Sequence, residues 1–294
     1  MDKYQFVVDY KNNDGLRKSF NELAMMTFGK AIDFESWYQN GYWNDCYVCY
    51  SFIDNECVIA NASINHMTVR QNGQSLKAIQ IGTVMTHPDY RRQGLAHQLL
   101  MRIIEEYEEK VDYIYLFGND MGLSLYKGCG FEPMIETKYT MSTASLVNRE
   151  STARKLNISE SNDLELLKEI SSTRVSVSKS FGVTHDEHLI MFYCSKFMGE
   201  TLVYLESEEA IVSCEIDEKK LLVYDVISRH AFDLNKILEE LVTNEVESVE
   251  FFFVPDIEER LLVKEPLVVE DQTLLVKPLK THMKTFRYPM FSHA

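Results

Sequence analysis

The sequence predicts a protein of the mixed α+β class in which one pattern of strands and helices is used twice. The chain has 294 residues, which suffices for two domains at about 150 residues each. Strand-like and helix-like segments alternate through residues 1–141. A similar order of segments recurs after residue 160, as expected for an internal repeat. We therefore predict two domains, at residues 1–145 and 156–294.

Local patterns define the elements of the first half. Apolar side chains recur at helical spacing along residues 94–110, at Ala96, Leu100, Ile103 and Tyr107. The run Gln-Asn-Gly-Gln at residues 71–74 is a turn signal between two strand-like segments. Strands are predicted at residues 4–10, 47–53, 57–67, 76–85 and 111–117, and helices at residues 16–28, 33–43, 94–110 and 123–127.

The second half repeats this order with one element missing. The polar residues 142–160 are predicted to join the halves, and Thr184-His-Asp-Glu187 has the pattern of a capping box that opens a helix. Helices are predicted at residues 164–172, from Thr184 onward and at 232–242, and strands at 202–205, 210–214, 220–228, 249–254, 267–269 and 273–276. The missing element precedes the last helix, where only Arg229-His-Ala stands in place of residues 86–94.

Composition excludes several classes of protein. Hydrophobic residues make up 45% of the chain and charged residues 26%, which excludes a disordered chain, a collagen and a small disulfide scaffold. Apolar runs such as residues 251–254 are far shorter than the ~18 to 20 residues of a membrane span. The first residues have no long apolar core of the kind found in secretory signals. We therefore expect a cytoplasmic protein.

The charge balance bears on the partners. There are 30 Lys and Arg residues against 45 Asp and Glu residues, a formal net charge of −15. Nucleic acids and anionic membranes bind basic surfaces, so neither is an expected partner. An acidic surface is compatible with a cationic substrate, and solubility explains it equally well.

Two features have the spacing of metal ligands. Cys46 and Cys49 have the spacing of half a zinc site, but no second pair follows, and a strand would point them to opposite faces. His185 and His188 are spaced to share a helix face, without an evident third ligand. We expect no bound metal and six reduced cysteines.

The most informative segment joins a strand to the helix at residues 94–110. The first turn of a helix has free N–H groups and the positive end of the helix dipole, which together bind phosphate groups. Arg91 and Arg92 stand where that dipole disfavours cations, a conflict that an anionic ligand would remove. Gly94 lets the backbone approach such a ligand closely. The alternative for the arginine pair alone is a solvated surface turn.

Two motifs in register resemble the GNAT N-acetyltransferase superfamily. Arg91-x-x-Gly94-x-Ala96 is similar to the family's coenzyme A pyrophosphate loop. The segment from Asn119 to Gly130-Phe131, with Tyr126 within it, is similar to the family's second motif, with Gly122 in place of the usual alanine. The resemblance covers residues 1–141. It implies a central twisted sheet, mixed but mostly antiparallel and flanked by helices, here duplicated in tandem.

The resemblance also implies roles for individual residues. Acetyl-CoA, as co-substrate, would be held by Val84, Met85 and Thr86, by Arg91, Arg92, Gln93, Gly94, Leu95, Ala96 and His97, and by Asn119. Tyr126 aligns with a tyrosine that often protonates the departing thiolate, and a phenol with a pKa near 10 is suited to that role. The alternative for Tyr126 is a packing residue.

No general base is assigned. Histone acetyltransferases of the superfamily use a glutamate where this chain has Gln80, and an amide cannot accept the proton. His66 and Glu35 are candidates by location only.

The sequence thus predicts an acetyl-CoA-dependent N-acetyltransferase that acts on a small-molecule primary amine by direct attack. The second copy, which lacks the glycine of the phosphate loop, is predicted to be degenerate and not to bind the co-substrate. One alternative is a non-catalytic acyl-CoA-binding protein that regulates or binds a partner. Another is acetylation of a protein N-terminus or lysine, because fold does not determine the substrate. The sequence leaves the oligomeric state open.

Overall fold

The computed structural model describes residues 3–147, 149–277 and 285–293. The helices are α1 (Asp14–Phe28), α2 (Phe34–Gln39), α3 (Leu95–Tyr107), α4 (Leu123–Gly128), α5 (Ser161–Ser172), α6 (Glu187–Tyr193) and α7 (Leu234–Leu241). The strands are β1 (Gln5–Val8), β2 (Tyr47–Asp54), β3 (Cys57–Gln71), β4 (Gln74–Thr86), β5 (Tyr113–Gly118), β6 (Glu132–Met134), β7 (Thr137–Ser142), β8 (Ala153–Lys155), β9 (Phe181–Thr184), β10 (Leu202–Leu205), β11 (Ala210–Asp217), β12 (Lys220–Ser228), β13 (Ser248–Phe251), β14 (Leu262–Pro266) and β15 (Thr273–Val276).

Two sheets form the architecture. The first has the strand order β1-β2-β3-β4-β5-β15-β6, and β9 also pairs with β3. The second has the order β14-β7-β13-β12-β11-β10-β8. Each contains one parallel pair, β4 with β5 and β12 with β13, and the other pairs are antiparallel. The prediction of a mixed, mostly antiparallel sheet in each half is confirmed.

The two halves exchange strands. β7 comes from the first half of the chain but lies between β13 and β14 in the second sheet. β15 comes from the second half but lies between β5 and β6 in the first sheet. The predicted domains were residues 1–145 and residues 156–294. Each sheet therefore includes a strand from the part of the chain assigned to the other domain. The sheets are interlocked rather than separate along the chain.

Some predicted elements differ from the structure. The second helix is shorter than residues 33–43, because α2 ends at Gln39. The prediction of a capping box at Thr184 was wrong. Thr184 is the last residue of β9 and pairs with Thr68, and Asp186 is the N-cap of α6. The Asp186 side chain caps no helix N–H, since its carboxylate contacts Arg174 and accepts a hydrogen bond from Ser292. The strand expected at 267–269 lies earlier, as β14.

The predictions about membrane spans and metal ligands can be compared with the helices, cysteines and histidines of the structure. Within the described ranges, no helix has both the length and the apolar character needed to cross a bilayer. The six cysteines are all free. His188 is buried and hydrogen-bonded to Asn65. Among the described residues, no three His, Cys, Asp or Glu side chains form a group that could hold a metal ion.

Candidate active site

A cavity opens where the parallel strands β4 and β5 separate. Their pairing runs from Ala78–Tyr113 to Ile81–Leu116 and then stops. The cavity has a volume of about 470 Å³. Its strand side is lined by Ile81, Gly82, Thr83, Val84, Phe117, Gly118, Asn119 and Tyr126. The other apolar and aromatic lining residues, which we call the aromatic chamber, are Phe28, Ile32, Phe34, Trp37, Tyr47, Leu189, Phe192, Tyr193 and Phe197.

A bulge in β4 coincides with the strand separation. The register between β3 and β4 shifts between Asn61 and Ser63, and Thr83, on the bulged strand, has a positive φ of 49°. A β-branched residue in this region is strained, and such strain persists only where neighbours hold it. Here Asn61 Nδ2 donates to the Thr83 carbonyl at 2.8 Å, and the Tyr47 and Thr83 hydroxyls lie 2.8 Å apart. Because a bulge bends its strand, it turns β4 away from β5.

The predicted phosphate loop leads from β4 into α3. Gly94 is the N-cap of α3 and adopts a left-handed conformation with φ 75°, and no side chain caps the helix. Arg92 also has a positive φ, of 60°. The first turn of α3 contains no acidic residue. An uncapped N-terminus beside exposed arginines fits an anionic group such as a pyrophosphate.

Neighbouring side chains fix the ends of this loop. Arg91 Nε donates to the Thr86 carbonyl at 3.2 Å, and Gln93 Oε1 accepts a hydrogen bond from the Tyr4 hydroxyl at 2.9 Å. Gln93, Gly94 and His97 are exposed, Ala96 is half-buried, and Leu95 is buried in the core beneath α3. The loop therefore presents its backbone to solvent while its helix is anchored by packing.

Tyr126 lies in α4 with its ring at the wall of the cavity. It is 8% exposed, and burial, with a smaller effect of Cys129, raises its pKa to about 12. The ring packs against two glycines. A Cβ on Gly118 would lie 2.8 Å from Tyr126 Cε2, and one on Gly122 would lie 2.6 Å from the same atom. The departure from alanine at position 122 therefore makes room for the Tyr126 ring.

The other residues predicted to hold the co-substrate lie in different surroundings. Val84 and Asn119 line the cavity. The Asn119 side chain accepts a hydrogen bond from Gly122 N at 3.0 Å and so caps the short helical turn before α4. Met85 is buried in the aromatic cluster beneath β2, and Thr86 leads into the loop. Neither Met85 nor Thr86 is among the described residues that line the cavity.

The three positions considered for a base lie elsewhere. Gln80 is fully buried within the paired part of β4. Glu35 accepts a hydrogen bond from Arg17 at 2.9 Å, which lowers the pKa of its carboxyl. His66 contacts Tyr107 on α3. None of them is among the described residues that line the cavity.

Two titratable residues that the sequence did not indicate do line the cavity. Asp271 precedes β15, and its Oδ1 accepts a hydrogen bond from Asp120 N at 2.8 Å. His293 stacks on Phe117, with ring centroids 3.9 Å apart. Burial, and secondarily Arg287, lowers the pKa of His293 to about 3, so its imidazole is neutral at physiological pH. Both residues follow Asn119 by about 150 residues or more, so no local motif could have placed them there.

The corresponding place in the second half has different contacts. The parallel pairing of β12 with β13 ends at Val223 and Phe251. Beyond it, Ser228 O accepts a hydrogen bond from Val175 N at 2.8 Å. Asp225 forms an ion pair with Arg174 at 2.9 Å, and both side chains are fully buried.

The N-terminus of the helix that follows is capped by a side chain. Asp233 is the N-cap of α7, and its side chain accepts a hydrogen bond from Asn235 N at 3.0 Å. A carboxylate at this position satisfies the helix N-terminus and repels an anion. The second half therefore lacks the features that fit a phosphate group in the first.

Comparison with known proteins bears on the first half of the chain and on the fold. Residues 15–134 match the family model of the acetyltransferase (GNAT) domain. A search of curated proteins found no match.

Solved structures share the whole fold at low identity. A conserved protein from Enterococcus faecalis V583, a probable N-acyltransferase, is 15% identical, with a TM-score of 0.59 over 92% of this chain and 72% of that chain. A GCN5-related N-acetyltransferase from Kribbella flavida is 16% identical, with a TM-score of 0.56 over 93% and 71%. A similar enzyme from Anabaena variabilis is 14% identical, with a TM-score of 0.52 over 92% and 72%. These likenesses establish the fold, and the family match shows that residues 15–134 form a domain of the GNAT acetyltransferase family.

Proposed function

We propose that the protein transfers the acetyl group of acetyl-CoA to the primary amine of a small molecule by direct attack. The observation that carries the proposal is the continuous cavity at the β4–β5 separation, with Tyr126 at its wall and the uncapped start of α3 next along the chain. The second half is proposed to be a degenerate copy that binds no co-substrate.

The phosphate loop supplies the first part of the site. The free N–H groups at the start of α3 bind the pyrophosphate, and the neighbouring Arg91 and Arg92 neutralise its charge. The edge of β4 beyond Ile81 is not paired with β5. Its backbone, at Val84 in particular, hydrogen-bonds the pantetheine arm and the thioester carbonyl. A preorganised backbone donor of this kind stabilises the charge that develops on the carbonyl oxygen.

Tyr126 acts at the departing sulfur. Because burial holds its pKa at about 12, the phenol stays protonated at neutral pH and can donate to the thiolate. No described residue forms a hydrogen bond with its hydroxyl, which leaves that group free to face the co-substrate.

The amine reaches the thioester from the aromatic chamber, because the chamber adjoins the strand side of the cavity. Attack requires the neutral amine. On acylation the amine loses one proton, and the thiolate gains one from Tyr126, which is reprotonated from solvent.

A thermal-shift measurement combined with thiol release tests this proposal. At a hundredfold excess over its dissociation constant, acetyl-CoA is expected to stabilise the fold by ~2.7 kcal/mol. Free thiol should appear with at least one amine from a panel of polyamines, aminoglycosides, amino acids, aromatic amines and peptides. Turnover with peptides alone would indicate a protein acceptor.

The second candidate is an acyl-CoA-binding protein without chemistry. It is favoured by the position of Gln80, Glu35 and His66 outside the lining of the cavity. It predicts the thermal shift without thiol release under any condition. If acetyl-CoA caused neither a thermal shift nor thiol release, both the acetyltransferase and the acyl-CoA-binding protein would be contradicted.

A further inference from the structure

We infer that the acceptor is a monoamine whose amino group is attached to an aromatic or similarly bulky apolar body. The inference rests on the proposed acetyl transfer and names its acceptor class. It is carried by the composition of the aromatic chamber, which both halves of the molecule build together.

The chamber is a prearranged set of rings. Phe34 from α2 and Phe192 from α6 stack with centroids 5.3 Å apart. Trp37 Nε1 donates to the His188 carbonyl at 2.9 Å, which fixes the indole against the second half. Rings that are already packed bind an apolar group without the entropic cost of ordering them.

The mouth of the chamber is also apolar. Phe28 at the end of α1 and Phe197 after α6 each line the cavity and are each 48% exposed. Phe197 lies in a π-helical turn at Cys194–Met198, a feature frequent at functional sites. Two half-exposed rings at the entrance of a cavity provide surface that an apolar ligand would cover.

Charge limits the acceptor to one ammonium group. Among the described residues that line the cavity, Asp271 is the only Asp or Glu, and none is Lys or Arg. A single amine is therefore not repelled. A polyamine or aminoglycoside would bring several charges into an apolar space that offers them one carboxylate, and burying unpaired charges is costly.

Geometry assigns the chamber to the acceptor rather than to a long acyl chain. The acceptor must approach the thioester carbon through space that adjoins the β4–β5 separation, and the chamber provides that space. A long acyl chain lying there would fill the route that the amine needs. The volume of about 470 Å³ lies within the range of small-molecule sites, roughly 300 to 1,000 Å³.

The experiment compares amines of graded apolar size with acetyl-CoA as donor. We expect kcat/KM to follow the order 2-phenylethylamine, hexylamine, butylamine, ethanolamine, with a factor of about four per buried methylene. Spermidine should be no better than butylamine. A preference for spermidine or an aminoglycoside, or equal rates across the series, would overturn the inference.

Variants at the mouth provide the second arm. Phe197→Ala and Phe28→Ala should lower kcat/KM for 2-phenylethylamine at least tenfold and for ethanolamine less than twofold. Met26→Ala is the matched control, because Met26 lies on the same helix as Phe28, is 58% exposed and is not among the described lining residues. If the variants instead impair use of octanoyl-CoA and leave the ranking of amines unchanged, the chamber holds the acyl group and the inference is wrong.

A binding measurement separates this inference from the proposed function. If no amine releases thiol, acetyl transfer fails, and the tryptophan fluorescence of a Trp43→Phe variant, in which Trp37 is the remaining tryptophan, still reports amine binding in the presence of coenzyme A. Dissociation constants that fall with apolar size would support the chamber as a site for apolar amines. Constants that do not depend on apolar size would overturn it.

Discussion

The two halves contain the same parallel strand pair, but different groups lie beyond it. In both, one strand bulges just beyond the last parallel pairing, after Ile81 in β4 and after Val223 in β12. In the first half the space beyond is the cavity. In the second, Arg174 pairs with Asp225, and Arg174, Phe232 and Leu234 line a different cavity of about 530 Å³. The strand geometry is thus shared, and the side chains that pack beside it differ.

The N-termini of the helices that follow the two parallel strand pairs also differ. α3 begins at a left-handed glycine without a side-chain cap, and α7 begins at Asp233, whose carboxylate caps its own helix. One N-terminus is open to an anion and the other is satisfied internally. The two halves therefore differ at two independent places that bear on the binding of an anion.

The largest effect is expected from the residue that has no counterpart in the second half. Tyr126→Phe should lower kcat about 10²- to 10⁴-fold while the dissociation constant of acetyl-CoA is unchanged, because only the hydroxyl is removed. Thiol release and calorimetry measure the two quantities. Tyr193→Phe makes the same change elsewhere in the cavity and is the control. Equal turnover in Tyr126→Phe would remove this residue from the mechanism.

Removing the buried cation of the second half should reduce stability. Arg174→Leu leaves Asp186 and Asp225 buried without their partner, a change that costs about 3–5 kcal/mol. Urea denaturation measures the loss. Adding Asp186→Asn and Asp225→Asn should restore part of it, and each chain should still bind one acetyl-CoA. A loss of unfolding free energy below about 1 kcal/mol would show that the ion pairs do not stabilise this region.

The glycine that accommodates the Tyr126 ring provides a finer test. Gly122→Ala places a Cβ 2.6 Å from the ring, so the ring must move, and a misplacement of about 1 Å can lower the rate about a hundredfold. Gly128→Ala, in the same helix and with nothing within 4 Å of the added Cβ, should leave kcat unchanged. A similar result for the two variants would mean that the position of the ring is not critical.

Local patterns predicted most of the elements and part of the site. The periodicity of α3, the turn before β4 and the segment holding Tyr126 are all local, and the structure places these elements where the sequence did. The position of the loop between β4 and α3 was predicted for the same reason, because a glycine before an amphipathic helix is visible in the sequence, and its role in phosphate binding stays a prediction.

Long-range contacts account for what was missed. β7 and β15 each join the sheet of the other half, and a strand's pattern does not name its partner. Asp271 reaches the cavity because it precedes β15. Thr184 was mistaken for a helix cap because its pairing with β3 overrides the local pattern. The acceptor side of the cavity, built from both halves, could not be predicted before their packing was known.

The contact between the halves should make stability depend on pH. His188 on α6 shares a 2.9 Å hydrogen bond with Asn65 on β3, and burial, with a smaller effect of His66, lowers its pKa to about 3. The unfolded chain binds the proton from about pH 6.5 downward, so this contribution is complete above pH 6.5 and is lost as the pH falls. At pH 5 the loss is about 2 kcal/mol.

His188→Gln isolates this effect, because the amide can still donate to Asn65 but does not titrate. The difference in unfolding free energy between the parent and His188→Gln should shift against the parent by about 2 kcal/mol between pH 7 and pH 5. Glu136, whose pKa burial raises to about 7, titrates with the opposite sign in both proteins and cancels in the difference. A difference that stays constant with pH would show that His188 titrates normally.

The smallest effect is expected at the start of α3, where the two halves differ by one glycine. Gly94→Ala puts a Cβ on a residue with φ 75°, which costs about 1–2 kcal/mol for an L-residue. The loop relieves this strain by moving its N–H groups, so acetyl-CoA should bind about fivefold more weakly, and calorimetry measures the change. Gly15→Ala, where φ is not positive and the nearest atom lies 3.5 Å from the added Cβ, is the control. Unchanged affinity in Gly94→Ala would mean that the co-substrate is held by the side chains of Arg91 and Arg92 and not by the backbone. In that case the missing glycine would not be what distinguishes the start of α7 from that of α3, and the Asp233 carboxylate that caps α7 would be the difference that matters.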